Sequence, residues 1–170
     1  MVGRAALLAC LLTGCASSTI APSLTGPEAL ESLIDAAAEG RLPAGEYHGV
    51  SPGDPAASAA FVYVEEWLNV NGESVHDVRP HAPDREGHFR FTTSRDGRQV
   101  YLIARGWPGP QVRTAALRPV PGMKVVLLGW PDELAWERLG SVLVVRTPRE
   151  MADEENHPCR QAFVFRFTFP

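Results

Sequence analysis

Two periodicities divide the chain. Between residues 25 and 72 apolar side chains recur at helical spacing, and from His88 onward they alternate with polar ones. Leu30, Leu33, Ile34, Ala37 and Ala38 mark one face of a first helix. Thr25 can cap it, Pro27 suits its first turn, Glu28 completes a capping box and Gly40 is placed to end it. Ala57, Ala60, Phe61, Val64, Trp67 and Leu68 mark a larger face on a second helix that starts at Asp54-Pro55 and stops at Asn71-Gly72. A short strand over 46–50 and a Pro/Gly turn at 51–55 separate the two.

The second half reads as strands. Asp96-Gly97 is a favoured two-residue hairpin turn, and placing it there pairs Phe91 with Leu102, Phe89 with Ala104 and Thr93 with Val100 on one face. That register sends Arg90, Thr92, Ser94 and Gln99 to the other face, predicting one apolar and one mostly wet side. Further strands are predicted at 112–117, 124–128, 134–138, 141–147 and 161–169, punctuated by Pro119, Pro121, Gly122, Gly129, Pro131, Gly140 and Pro148. In the last of them Phe163, Phe165, Phe167 and Phe169 alternate with Ala162, Val164, Arg166 and Thr168. The fold class expected is therefore mainly β: an antiparallel β-sandwich of about seven to eight strands, with two short N-terminal helices packed at one end or edge.

Composition supports a folded domain, with 45% hydrophobic and 21% charged residues. The 16 basic residues, all arginine except Lys124, are outnumbered by 20 acidic ones, so no concentrated positive stripe is available for nucleic acid. At the start of the chain, Arg4, the apolar run from Ala5 to Leu12 and the small residues before Cys15 have the layout of a secretory signal. Leu12-Thr13-Gly14-Cys15 resembles the bacterial lipobox, which implies acylation of Cys15 and anchoring at the bacterial cell envelope, on the outer-membrane, periplasmic or cell-surface side. The apolar run is far shorter than the roughly 20 residues that span a bilayer. The expected organisation is 1–15 signal peptide, 16–26 tether, 27–72 two-helix region and 73–170 sandwich. With Cys10 removed and Cys15 lipidated, Cys159 is left without an internal disulfide partner. His157-Pro158-Cys159 offers two ligands where a tetrahedral metal site needs four, so neither metal nor other cofactor is expected.

Glu66-Trp67-Leu68-Asn69-Val70-Asn71-Gly72-Glu73-Ser74-Val75, followed by Arg79-Pro80, resembles the α-L-fucosidase family. In that family a final barrel helix ending in Trp-Leu-x-x-Asn-Gly-Glu leads by an extended segment into a C-terminal β-sandwich. The likeness continues through Phe91-Thr92-Thr93, Val100-Tyr101-Leu102-Ile103, Gly106-Trp107-Pro108, Val126-Leu127-Leu128-Gly129, Leu134-Ala135-Trp136 and the phenylalanine strand, covering about residues 60 to 169. The sequence departs from the family pattern at Ser74, where alanine is usual, and at His76, where tyrosine is common. A retaining fucosidase needs two carboxylates about 5 to 5.5 Å apart, supplied by a barrel of roughly 200 to 250 residues for which this chain has no room. No catalytic residue is carried over. The resemblance implies a non-catalytic accessory, structural or carbohydrate-contacting role; the alternative is a subunit or remnant of a fucosidase that needs a separate barrel protein.

Tyr63, Trp67, Trp107, Trp130 and Trp136 could stack on sugar rings, although core packing accounts for each more simply. Trp107 and Trp130 are kept as the candidate glycan contacts. Phe61, Val64, Trp67 and Leu68 form a face that needs cover, either from the first helix or from a partner. His76, His81 and His88 read as solvated loop residues with no ligand spacing, and residues 152–156 as a solvated acidic loop. Ser74 and Ser94 lack the setting of a nucleophile.

Overall fold

A computed structural model describes residues 24–41 and 55–170. Cys15 and its lipobox, Cys10, most of the tether and the strand expected at 46–50 lie outside the described residues.

Helix α1 (Gly26–Ala38) begins as its sequence requires. The Glu28 carboxylate accepts both the Thr25 backbone N–H and the Thr25 hydroxyl at 2.9 Å. Its end is a Schellman arrangement in which Gly40 N–H reaches Ala37 O at 3.1 Å and Arg41 N–H reaches Ala36 O at 2.8 Å. Gly40 has φ +70°, and a Cβ there would lie 2.8 Å from Pro80 Cγ, so glycine both makes the turn and lets the strand beneath approach. Helix α2 (Pro55–Asn71) runs from the expected start to the expected stop.

Eight strands follow: β1 (Val78–Glu86), β2 (Phe89–Ser94), β3 (Gln99–Arg105), β4 (Gln111–Thr114), β5 (Lys124–Leu127), β6 (Trp136–Leu139), β7 (Val142–Arg146) and β8 (Ala162–Thr168). They form two antiparallel sheets, ordered β1-β2-β3-β8-β5 and β4-β7-β6. The β2–β3 hairpin has the register that the Asp96-Gly97 turn dictates, with Phe89 opposite Ala104, Phe91 opposite Leu102 and Thr93 opposite Val100. Between the sheets lies one core, built from Phe91, Leu102, Phe163, Phe165 and Phe167 of the larger sheet and Val112, Leu143 and Val145 of the smaller. The mainly β sandwich is thus the observed architecture.

The helices are placed differently from expectation. They lie across the outer face of the five-stranded sheet, not at an end or edge, and build a second core there. Leu30, Leu33 and Ile34 of α1 and Val64 and Trp67 of α2 meet Tyr101, Ile103 and Val164. That sheet face is consequently not wet over most of its length: Arg90 and Thr92, expected in solvent, are buried. Both have a partner, as burial demands. Thr92 donates its hydroxyl to Ser74 O at 2.6 Å, and Arg90 Nε donates to Asp35 Oδ1 of α1 at 2.6 Å.

Strand β1 was not among the strands read from alternation. Pro80 and Pro83 interrupt its pattern, and its pairing with β2 shifts register between Pro80 and Arg85. Proline removes a ladder donor, which an edge strand tolerates and an inner one does not. His81 is accordingly not a solvated loop residue: it sits on β1, half-buried, 2.9 Å from the Thr93 hydroxyl and beside the Phe91 ring. The acidic segment 152–156 contains a 3-10 turn, Glu154–Asn156, just after another at Arg149–Ala152.

Asp35 ties α1 to the sheet by accepting from both Arg90 and Arg105. Burial opposes its ionisation, but the hydrogen bonds and charges of the two guanidinium groups outweigh that and hold the carboxyl below its usual value. A carboxylate with a depressed folded value contributes stability above its unfolded pKa of about 3.9 and loses it as pH falls through the lower folded value. Asp35→Asn is expected to cost about 2 kcal/mol near neutrality, because the nearly buried Arg90 loses its counter-charge. Urea titrations as a function of pH should show the gap between wild type and variant closing as the pH falls through the depressed folded value, below the ordinary aspartate range; a gap that stays constant with pH would contradict this role.

Candidate functional site

Residues singled out in the sequence fall in three places. On α2, Trp67 is fully buried and its indole N–H donates to Ala162 O at 2.7 Å, Val64 is buried beside it and Leu68 is half-buried. Phe61 points the other way and is 43% exposed, next to Val62 at 51%.

At one end of the sandwich, Trp107 is half-buried, its ring 4.4 Å from His157 and 5.0 Å from Phe163. Trp130 is half-buried against the same core, and a Cβ on the preceding Gly129 would lie 2.6 Å from Pro158. The His157-Pro158 turn therefore packs against both segments. His157 Nε2 lies 3.0 Å from Met151 O, and the Cys159 thiol donates to Ala162 O at 3.0 Å. Burial pushes the Cys159 pKa up, so the thiol is held protonated and unreactive at neutral pH. Trp136 lies elsewhere along the core and donates to Met123 O at 3.0 Å.

The third place is an open polar cleft of about 470 Å³ on the outer face of the larger sheet, at the hairpin end that the helices leave uncovered. The turn after α2 and the start of β1 supply Glu73, His76, Asp77 and Val78, the hairpin supplies Ser94, Arg95, Asp96 and Gln99, and Tyr101 completes the lining. Asp77 has φ +54°, a left-handed conformation that aspartate tolerates better than most residues, and it pairs with Arg95. Arg166 Nη1 of β8 lies 2.9 Å from Glu73 Oε1. Asp96 accepts from the Ser94 hydroxyl at 2.6 Å and from Arg98 N–H at 3.0 Å, and these bonds lower its pKa. The Tyr101 hydroxyl donates to Gln99 Oε1 at 2.6 Å. Burial, and then the negative charge of Glu73, push the Tyr101 phenol up to about 12, so it stays a neutral donor.

Of the residues weighed for chemistry from the sequence, His76 and Ser94 line this cleft, neither with an assigned role, while Asp96 and Gln99 entered only through the hairpin register. Its walls come from segments brought together by the β1–β2–β3 pairing, and the signal available was the hairpin register followed outward past Thr93. Among the described residues no three His, Cys, Asp or Glu side chains gather in a way that could hold a metal ion.

No protein-family model matches the sequence, and no curated protein matches it. Solved structures do. The α-fucosidase of Thermotoga maritima superposes with a TM-score of 0.64 at 18% identity, over 85% of this chain and 35% of that one. The fold is that of part of an α-L-fucosidase. A second Thermotoga maritima structure, in complex with fucose, gives a TM-score of 0.61 at 17% identity, over 85% of this chain and 34% of that one. A Bacteroides thetaiotaomicron α-L-fucosidase, trapped as a covalent intermediate, gives 0.58 at 14% identity, over 84% and 32% of the two chains. The chain thus spans about a third of the length of the fucosidases it matches, consistent with a small C-terminal-type domain.

Proposed function

We propose that this chain is a non-catalytic accessory domain of fucosidase type, exported and held at the bacterial cell envelope through lipid on Cys15, with a structural or carbohydrate-contacting role and no cofactor. The observation that carries the reading is the second core. Helices α1 and α2 cover the apolar part of the outer face of the five-stranded sheet with Leu30, Leu33, Ile34, Val64 and Trp67, so residues of this chain close it up to the hairpin end. Partly exposed Trp107 and Trp130, flanking the His157-Pro158 turn, are the aromatic surfaces proposed to meet glycan.

A second reading, in which the chain completes a fucosidase whose barrel is a separate protein, is favoured by one observation. Phe61 and Val62 are exposed side by side on α2, the helix that resembles the family's final barrel helix, and an apolar surface there suits a partner.

The purified chain is expected to release no product from an aryl α-L-fucoside; turnover by the chain alone would overturn the accessory role, and turnover appearing only on mixing with a barrel protein would establish the second reading. Fractionation tests the anchor separately. The wild-type protein is expected in the membrane fraction and Cys15→Ala in the soluble one, whereas an unchanged distribution would remove the lipid from the account.

A further inference from the structure

We propose that the cleft lined by Glu73, Asp77, Arg95, Asp96, Gln99 and Tyr101 binds a neutral, hydroxyl-rich ligand, a saccharide of one or two rings. The ligand class rests on the carbohydrate-contacting reading, while the place is distinct from the tryptophans.

The charge arrangement selects this chemistry. Each of the three lining carboxylates already has a partner: Glu73 and Asp77 are paired with the guanidinium groups of Arg166 and Arg95, and Asp96 accepts from the Ser94 hydroxyl and Arg98 N–H. An anion entering the cleft would face all three. At Glu73 and Asp77 a cation would compete with guanidinium groups already in contact, giving up charge-assisted bonds for desolvation. A wholly apolar ligand would meet Val78 and the Tyr101 ring but would strand the charged and amide groups of the lining without water.

A hydroxyl group both donates and accepts, and a carboxylate beside a guanidinium presents complementary partners for it. Each carboxylate keeps lone pairs beyond its contact with arginine, and Arg95 carries five N–H donors of which the Asp77 contact uses only part. Two adjacent hydroxyls on a ring can therefore bridge Asp77 and Arg95, one donating and one accepting. Gln99 extends the pattern: its Oε1 is occupied by Tyr101, which leaves its amide N–H groups as donors. The volume of about 470 Å³ falls within the range of small-molecule sites.

The test uses the full chain, with L-fucose, D-galactose, D-glucose and lactose as probes and ¹⁵N-edited NMR as the readout. At least one probe is expected to bind saturably in the millimolar range, shifting resonances of residues 73–78 and 94–101. Glu73→Gln and Arg95→Ala should each weaken that binding about tenfold or more. Their side chains are 42% and 61% exposed, so both variants should keep the wild-type thermal midpoint. Absence of shifts at these residues with every probe, unchanged affinity in both variants, or tighter binding of acetate or calcium at the cleft would each overturn the proposal. Binding lost in Trp107→Ala or Trp130→Ala yet kept in both cleft variants would also overturn it while leaving the carbohydrate-contacting reading intact.

Discussion

Strands β3 and β8, in the middle of the larger sheet, are apolar on both faces over most of their length, and most of the structure answers that constraint. In β3, Val100, Leu102 and Ala104 face one way while Tyr101 and Ile103 face the other; in β8, Phe163, Phe165 and Phe167 oppose Ala162 and Val164. A sheet with one wet side would need a single cover, whereas this one needs two. The three-stranded sheet supplies the first and the α1–α2 pair the second. Each fully buried Leu, Ile or Val in the helical layer contributes about 1.5 to 3 kcal/mol relative to exposure, a large share of what holds a domain of this size together.

Closing the second face creates obligations that specific polar residues meet. Arg90 on β2 goes under α1 and is met by Asp35; Thr92 goes under the turn after α2 and is met by Ser74 O; the Trp67 indole N–H ends at the Ala162 carbonyl. These contacts orient the helices as well as neutralise what they cover. The cover also has an end. Beyond Tyr101 the sheet face turns polar with Gln99 and Arg166, the helices give way to the turn carrying Glu73 and Asp77, and the open cleft forms where layer and hairpin diverge. The proposed saccharide site is thus a consequence of where the helical layer stops.

Legibility in the sequence follows from how local each signal is. Helix α1 was readable because Thr25, Pro27 and Glu28 act within its first turn and Gly40 acts on its last, and the β2–β3 register because one two-residue turn fixes it. Strand β1 was hidden by Pro80 and Pro83, which only its edge position excuses. The burial of Arg90 and Thr92 was hidden for a different reason: a polar residue in an alternating strand reads as solvent-facing unless its partner is known, and Asp35 is far away in the chain. The same distance concealed the cleft, since residues 73–78 and 94–101 become neighbours only after the sheet forms. Trp67 was correctly placed on an apolar helix face, but its hydrogen bond to Ala162 could not be read from spacing.

The central claim is that the helical layer is part of the domain's own core. The direct measurement compares thermal unfolding and sedimentation of the full chain with those of a chain lacking residues 1–41, which deletes α1. The account predicts a midpoint lower by about 10 °C or more, with association or dye binding through the exposed sheet face. A shortened chain that stays monomeric and unfolds at the same temperature would contradict it.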